Sequence, residues 1–130
     1  MIEFHLDTGT GVSPYMQIIK QVKRALRLGI LNNGDQLPTV KEVVSKLVIN
    51  PNTVLKAYRQ LEAMGLAQAK PGIGTFITTS APEVSPSSFL PLKIELQKWI
   101  DKAIKNGADL EIIEAIFQEC LRQSDVEETA

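Results

Sequence analysis

Two stretches of helical periodicity, Thr39 to Leu47 and Asn52 to Met64, are separated only by Val48, Ile49, Asn50 and then Pro51. In the first stretch Val40, Val43, Val44 and Leu47 fall on one face, and Thr39 with Glu42 makes the Thr-x-x-Glu pattern of a capping box. In the second, Val54, Ala57, Tyr58 and Leu61 share a face, and Gly65 is placed to end the helix. A proline inside a helix removes a hydrogen bond and clashes with the preceding turn, whereas at the first helical position its missing N–H has no partner to lose. Asn50 is therefore read as an N-cap and Pro51 as the first residue of a new helix. The spacing fits a helix-turn-helix; until the next segment is considered, it fits an ordinary αα-hairpin of a bundle as well.

After Gly65 the period changes to two. Leu66 to Lys70 and Thr75 to Thr79 flank Pro71, Gly72, Ile73 and Gly74, which predicts a β-hairpin, the wing of a winged helix-turn-helix. Gly72-x-Gly74 lacks the third glycine of a dinucleotide loop and the Gly-Lys-Ser/Thr ending of a P-loop, so it is no nucleotide site. Upstream, Tyr15, Ile18, Ile19, Val22, Leu26 and Ile30 predict an amphipathic helix over 14–30, with Ser13 as cap, Pro14 at its first position, and Asn32, Asn33 and Gly34 as its stop. Ile2, Phe4 and Leu6 alternate with polar residues, the pattern of a short strand or an arm.

Downstream, "SAPEVSPSSFLP" reads as an extended, semi-rigid linker rather than a helix. Two further helices follow. Leu92, Leu96, Trp99, Ile100, Ala103 and Ile104 line one face of the first, and Gly107 ends it. Ala108 and Asp109 open the second, whose apolar face is Leu110, Ile113, Ile116, Phe117, Cys120 and Leu121, with Cys120 expected to pack as a small hydrophobe. A two-helix hairpin cannot bury both stripes alone, so it must dock on the rest of the chain or on a copy of itself. The organisation expected is a winged helix-turn-helix over 1–79, a linker over 80–91, a helical dimerisation tail over 92–123 and a disordered end over 124–130. The fold class is mainly α with a small β-hairpin wing.

Charge is segregated along this plan. Through Thr79 nine basic residues face five acidic ones, and beyond it five basic face ten acidic, which together leave the net charge of −1. A basic first part and an acidic tail point to a polyanionic partner for the former. Other classes are excluded by what the chain lacks. His5 is the only histidine and Cys120 the only cysteine, so neither an internal disulfide nor a cysteine-built zinc site is possible, and no paired-carboxylate or Cys/His constellation supports catalysis. No metal or cofactor is expected. No apolar run approaches the roughly 18 residues of a membrane span, and the N-terminus does not resemble a secretory signal. A cytoplasmic protein without a membrane role is the expectation.

The ordered motifs Pro14-Tyr15-x-Gln17-Ile18, Gly34-Asp35-x-Leu37-Pro38-Thr39, Thr53-Val54, Leu61-Glu62-x-x-Gly65-Leu66 and Gly72-x-Gly74-Thr75-Phe76 resemble the DNA-binding domain of GntR-family transcription regulators. The resemblance spans about Ser13 to Ile77. The short helical tail and the run Asn50-Pro51-Asn52-Thr53-Val54 are similar to the YtrA-like branch, which implies a dimeric repressor, often of transporter genes. Many family members carry arginine where this chain has Lys41, Pro51 and Leu55. Lys41 keeps the charge without the bidentate fork, and the other two lose both, so base reading falls to Asn52, Thr53 and Lys56.

The resulting expectation is that the helix begun by Pro51 enters the major groove of double-stranded DNA with its first turn leading. Free amides of that turn, with Asn50 and Thr53, are expected at a phosphate. Asn52 is expected to read a base, an adenine by preference. Lys41, Lys56, Arg59 and Lys70 are expected along the backbone, and Gly72, Gly74 and Thr75 at the wing's approach. Leu96, Trp99, Ile100, Ile113, Ile116 and Phe117 are the expected dimer interface, whether they pack within or between subunits, and a homodimer implies a palindromic site. A small-molecule effector stays unassigned. A winged-helix module that binds a protein instead of DNA satisfies the same pattern, and salt dependence separates the two.

Overall fold

The computed structural model describes residues 2–79 and 86–129; the linker residues 80–85 lie outside the described residues. The chain divides into two compact units, Met1–Ser88 and Phe89–Ala130. The first contains α1 (Pro14–Arg27), α2 (Val40–Leu47), α3 (Pro51–Ala63), β1 (Ala67–Lys70) and β2 (Gly74–Ile77). The second contains α4 (Leu90–Lys105) and α5 (Leu110–Thr129).

In the first unit α3 packs against both α1 and α2. The apolar stripes read from the sequence meet there: Ile18 and Val22 of α1, Val43 of α2, and Val54, Ala57, Tyr58 and Leu61 of α3 are all buried. Burial of each large side chain contributes about 1.5–3 kcal/mol, which holds three short helices that would be marginal alone. Tyr58 ties the helix pair further, its hydroxyl donating to the Pro38 carbonyl at 2.6 Å just before α2 begins. Burial, and after it the charge of Glu42, pushes that phenol well above its ordinary range.

The helix starts follow the caps. Thr39 Oγ1 accepts from the Glu42 amide at 3.1 Å, and Asn50 Oδ1 accepts from the Asn52 amide at 2.9 Å. Ser13 makes no side-chain cap bond. Between α2 and α3 the chain turns at Val48, whose φ of 54° and ψ of 53° lie in the left-handed region, and whose side chain is 87% exposed. A β-branched residue there is strained, because its Cβ crowds the following carbonyl.

In this unit the structure moves one helix end, chooses the arm over the short strand at the N-terminus, and adds one strand-like pairing. The first helix ends at Arg27, not at Ile30: Gly29, with φ 74°, lets the amides of Ile30 and Leu31 fold back onto the Ala25 carbonyl at 2.8 and 3.1 Å. Ile30 is consequently 56% exposed and Leu31 takes its place in the core. The N-terminal segment forms no strand. It is an arm clamped by two side chains of α1, Gln17 bonding the Asp7 and Val12 backbone and Gln21 the His5 backbone, with Phe4 buried beneath. Residues 34–37, which lie outside every element expected from the sequence, pair with the free edge of β2: Leu37 donates to Thr75 at 2.9 Å and Ile77 to Asp35 at 2.8 Å.

β1 and β2 are antiparallel, with Ala67 opposite Ile77 and Lys70 opposite Gly74. In the second unit α4 begins at Leu90, with Pro91 in its first turn, after a single 3-10 turn at Pro86–Ser88. The linker expected to stay extended as far as residue 91 is thus helical from Leu90. Gly107 and the Asp109 side chain, which accepts from the Ile112 amide at 2.9 Å, separate α4 from α5. α5 runs to Thr129, through 124–129, a stretch given no order by the sequence. Cys120 is exposed, contrary to its expected packing. No described helix is long and apolar enough to cross a membrane.

Candidate nucleic-acid interface

The face of α3 opposite the core carries Asn52, Lys56, Arg59 and Gln60, all exposed, with Thr53 half-buried at its edge. The helix is held from behind by side chains with almost no exposure, so this polar face is a rigid platform. Its first turn differs from expectation. Pro51 has no N–H, the Asn52 amide is taken by Asn50 Oδ1, and the Thr53 amide donates to the Asn50 carbonyl at 3.0 Å. The expected free amides are therefore already used by the cap, and anion recognition at this turn rests on side chains.

The cations lie on three elements. Lys41 is exposed in the first turn of α2, Lys56 and Arg59 are exposed on α3, and Lys70 is exposed at the end of β1. None of the four is in an ion pair among the described residues, where the pairs are Lys46 with Glu3 at 2.9 Å and Arg122 with Glu119. Lys46 holds the Glu3 carboxyl below the usual carboxylate range, first through the hydrogen bond and then through its charge. Lys56 Nζ stands 3.9 Å from the centroid of the Tyr15 ring, and Lys70 Nζ 4.8 Å from that of Phe76. Glu62, the one acid on α3, is turned to the wing, accepting from the Ala69 amide at 2.7 Å.

The wing turns at Pro71 and Gly72, closed by the Ile73 amide donating to the Lys70 carbonyl at 2.9 Å. Gly72, at φ 76°, supplies the positive φ that a type II turn requires at this position. Gly74 has a different constraint. A Cβ there would lie 2.5 Å from Gln36 Nε2, and that amide donates to the Ile73 carbonyl at 3.3 Å. Gln36 Nε2 is the far end of a flexible side chain that can swing aside, so it is the backbone φ of 147° that calls for glycine here. Thr75 is half-buried and its carbonyl serves Leu37. The wing is fixed to α3 through Glu62 and to the segment before α2 through Gln36.

Sequence reasoning missed the two rings that hold the lysines. By spacing Tyr15 is only an inward residue of α1, and nothing local in sequence joins it to a helix about forty residues on. Phe76 was detectable: glycine opposite Lys70 leaves the diagonal neighbour two residues along, Phe76, within reach on the same face.

In the helical hairpin, Ile113 is buried and Ile100 is half-buried, while Leu96, Trp99, Ile116 and Phe117 are exposed. Trp99 at 38% and Phe117 at 43% exposure border an apolar cavity of about 220 Å³ with Leu96, Ile100, Ile113 and Glu114.

Comparison with known proteins decides the family. The family described as bacterial regulatory proteins, gntR family, matches residues 14–77. The HTH-type transcriptional repressor YtrA of Bacillus subtilis (strain 168) is 36% identical over 107 residues, which cover 82% of this chain and 82% of that protein. The chain belongs to the GntR family. Among solved structures, a transcriptional regulator from Oenococcus oeni is 37% identical with a TM-score of 0.51, covering 91% of this chain and 99% of that one. A transcriptional antiterminator from Listeria monocytogenes EGD-e is 28% identical with a TM-score of 0.58, covering 91% and 89%. The class is thereby established: a transcription regulator with a winged helix-turn-helix DNA-binding domain.

Proposed function

We propose that this GntR-family regulator is a dimeric repressor that reads a palindromic operator with α3, acts in the cytoplasm and catalyses no reaction. One observation carries the reading: α3 buries one face completely and offers, on the other, a row of hydrogen-bond donors and cations in no ion pair among the described residues, with its single acid turned to the wing. A surface of this sign and chemistry suits a phosphate backbone with base edges between. Asn52, whose backbone is fixed by the Asn50 cap, is assigned to an adenine edge. Lys41, Lys56, Arg59 and Lys70 are assigned to phosphates, joined by the Asn50 amide group and the Thr53 hydroxyl.

The helical hairpin is assigned to dimerisation. It leaves large apolar side chains in water on both helices, Trp99 and Phe117 among them, and burying such residues is what anchors an isologous interface. The organisation that follows is a DNA-binding domain over 1–79 and a tail from α4 onward. YtrA is named as a repressor, and that is the direction of regulation proposed for this chain. The test is footprinting of the full chain on genomic fragments combined with light scattering. A dimer protecting two half-sites a whole number of helical turns apart, about 34–36 Å or a multiple, is the expected result; a monomer at micromolar concentration protecting a single site overturns the dimeric part.

A further inference from the structure

Two lysines of the interface are held by the fold, and in both the holder is an aromatic ring rather than a carboxylate. The difference is electrostatic. A carboxylate beside a lysine cancels the charge that a phosphate would need, as Glu3 does for Lys46 at 2.9 Å. An aromatic face attracts the ammonium through its quadrupole and leaves the unit charge intact. It also restricts a side chain that otherwise loses rotamer freedom when it docks.

Lys56 shows this most clearly. It lies one turn along α3 from Asn52, on the same exposed face, and its ammonium is 3.9 Å from the Tyr15 ring centroid. Tyr15 is itself anchored, half-buried against the core from the first turn of α1. Phe76 plays the same part for Lys70 at the longer 4.8 Å, but its backbone also bridges to Gln36, so Tyr15 is the cleaner case. We propose that Tyr15 is a positioning residue for DNA binding: its ring presents the Lys56 ammonium, still fully charged, to a phosphate beside the recognition helix. This rests on the reading of α3 as the DNA-binding surface. It makes α1 part of recognition through a side chain that need not touch the duplex.

A double-mutant cycle tests it. The full chain and its Tyr15→Leu, Tyr15→Phe, Lys56→Ala and doubly substituted (Tyr15→Leu with Lys56→Ala) forms are titrated onto one duplex recovered by selection from random-sequence DNA, between about 50 and 200 mM salt. Tyr15→Leu is expected to weaken binding about two- to fivefold, the value of an exposed cation–π contact, and Tyr15→Phe to retain most of the affinity. In the Lys56→Ala background Tyr15→Leu is expected to cost nothing further. General loosening of the fold would weaken both backgrounds alike and cancels in the cycle. Equal loss with and without Lys56 overturns the positioning role. Lys56→Ala that changes neither affinity nor the salt slope, expected to fall by about one, overturns the assignment of Lys56 to a phosphate and the proposal with it.

Discussion

Replacing Tyr58 with phenylalanine removes one oxygen from the joint between α2 and α3 and leaves the ring in place. The hydroxyl donates to the Pro38 carbonyl at 2.6 Å, and both residues are buried. A buried hydrogen bond of this kind contributes about 1 kcal/mol net, and a carbonyl left without its partner costs about 1–3 kcal/mol. The loss expected for Tyr58→Phe is therefore about 1–3 kcal/mol. With a urea m-value of about 1–2 kcal/mol per molar, the midpoint falls by roughly 1 M. Trp99 belongs to the other unit, so the assay follows exchange of α3 amides in urea rather than tryptophan fluorescence. The raised phenol pKa adds a second arm. Below the ordinary value of 10.0 neither state loses the proton and stability is unaffected. Above it the unfolded chain releases the proton while the folded chain keeps it, so stability falls as pH climbs toward the folded value. The phenylalanine form lacks this decline. A loss under about 0.3 kcal/mol, well below the usual worth of a hydrogen bond, together with parallel pH profiles, would refute the claim that this bond fixes the helix pair.

Asn50→Ala removes the acceptor for the Asn52 amide and is expected to cost about 0.5–2 kcal/mol, read by urea unfolding. Val48→Gly releases a β-branched residue from φ 54°; the gain of about 1–2 kcal/mol in the folded state, less the extra freedom of glycine in the unfolded chain, leaves the variant more stable by up to about 1 kcal/mol. Gly74→Ala puts a side chain at φ 147°, a backbone conformation that favours glycine, and is expected to cost about 1–3 kcal/mol, with faster amide exchange in β2 than in the parent chain.

What was legible in the sequence is what local chemistry decides. Asn50, Pro51 and Gly65 bound α3 within a residue or two because a cap, a missing N–H and a positive φ act on the nearest turn. The wing followed from its change of period. Gly29 was passed over because Ile30 continues the apolar spacing of α1, and periodicity cannot show that the chain has already turned back onto Ala25. The arm's clamps, the pairing of 34–37 with β2 and the ring beneath Lys56 join residues distant in sequence, where no spacing rule reaches. The first-turn amides of α3 depart from expectation for a different reason. An asparagine N-cap and an open anion site at the same turn compete for the same N–H groups, so a cap at Asn50 means that those amides are used. In the tail, the stripes were readable but their partner was not: they remain exposed on both helices.

Reading of base sequence by α3 is the central claim, and Asn52 is where it is tested most directly. Affinity of the full chain for a selected duplex and a scrambled one, measured with and without Asn52→Ala across a salt series, is the decisive measurement. The expected result is a preference of roughly 10³-fold or more for the selected duplex, reduced by Asn52→Ala with little change in salt slope. Equal binding of both duplexes by the parent chain, or equal loss on both for Asn52→Ala, would contradict it.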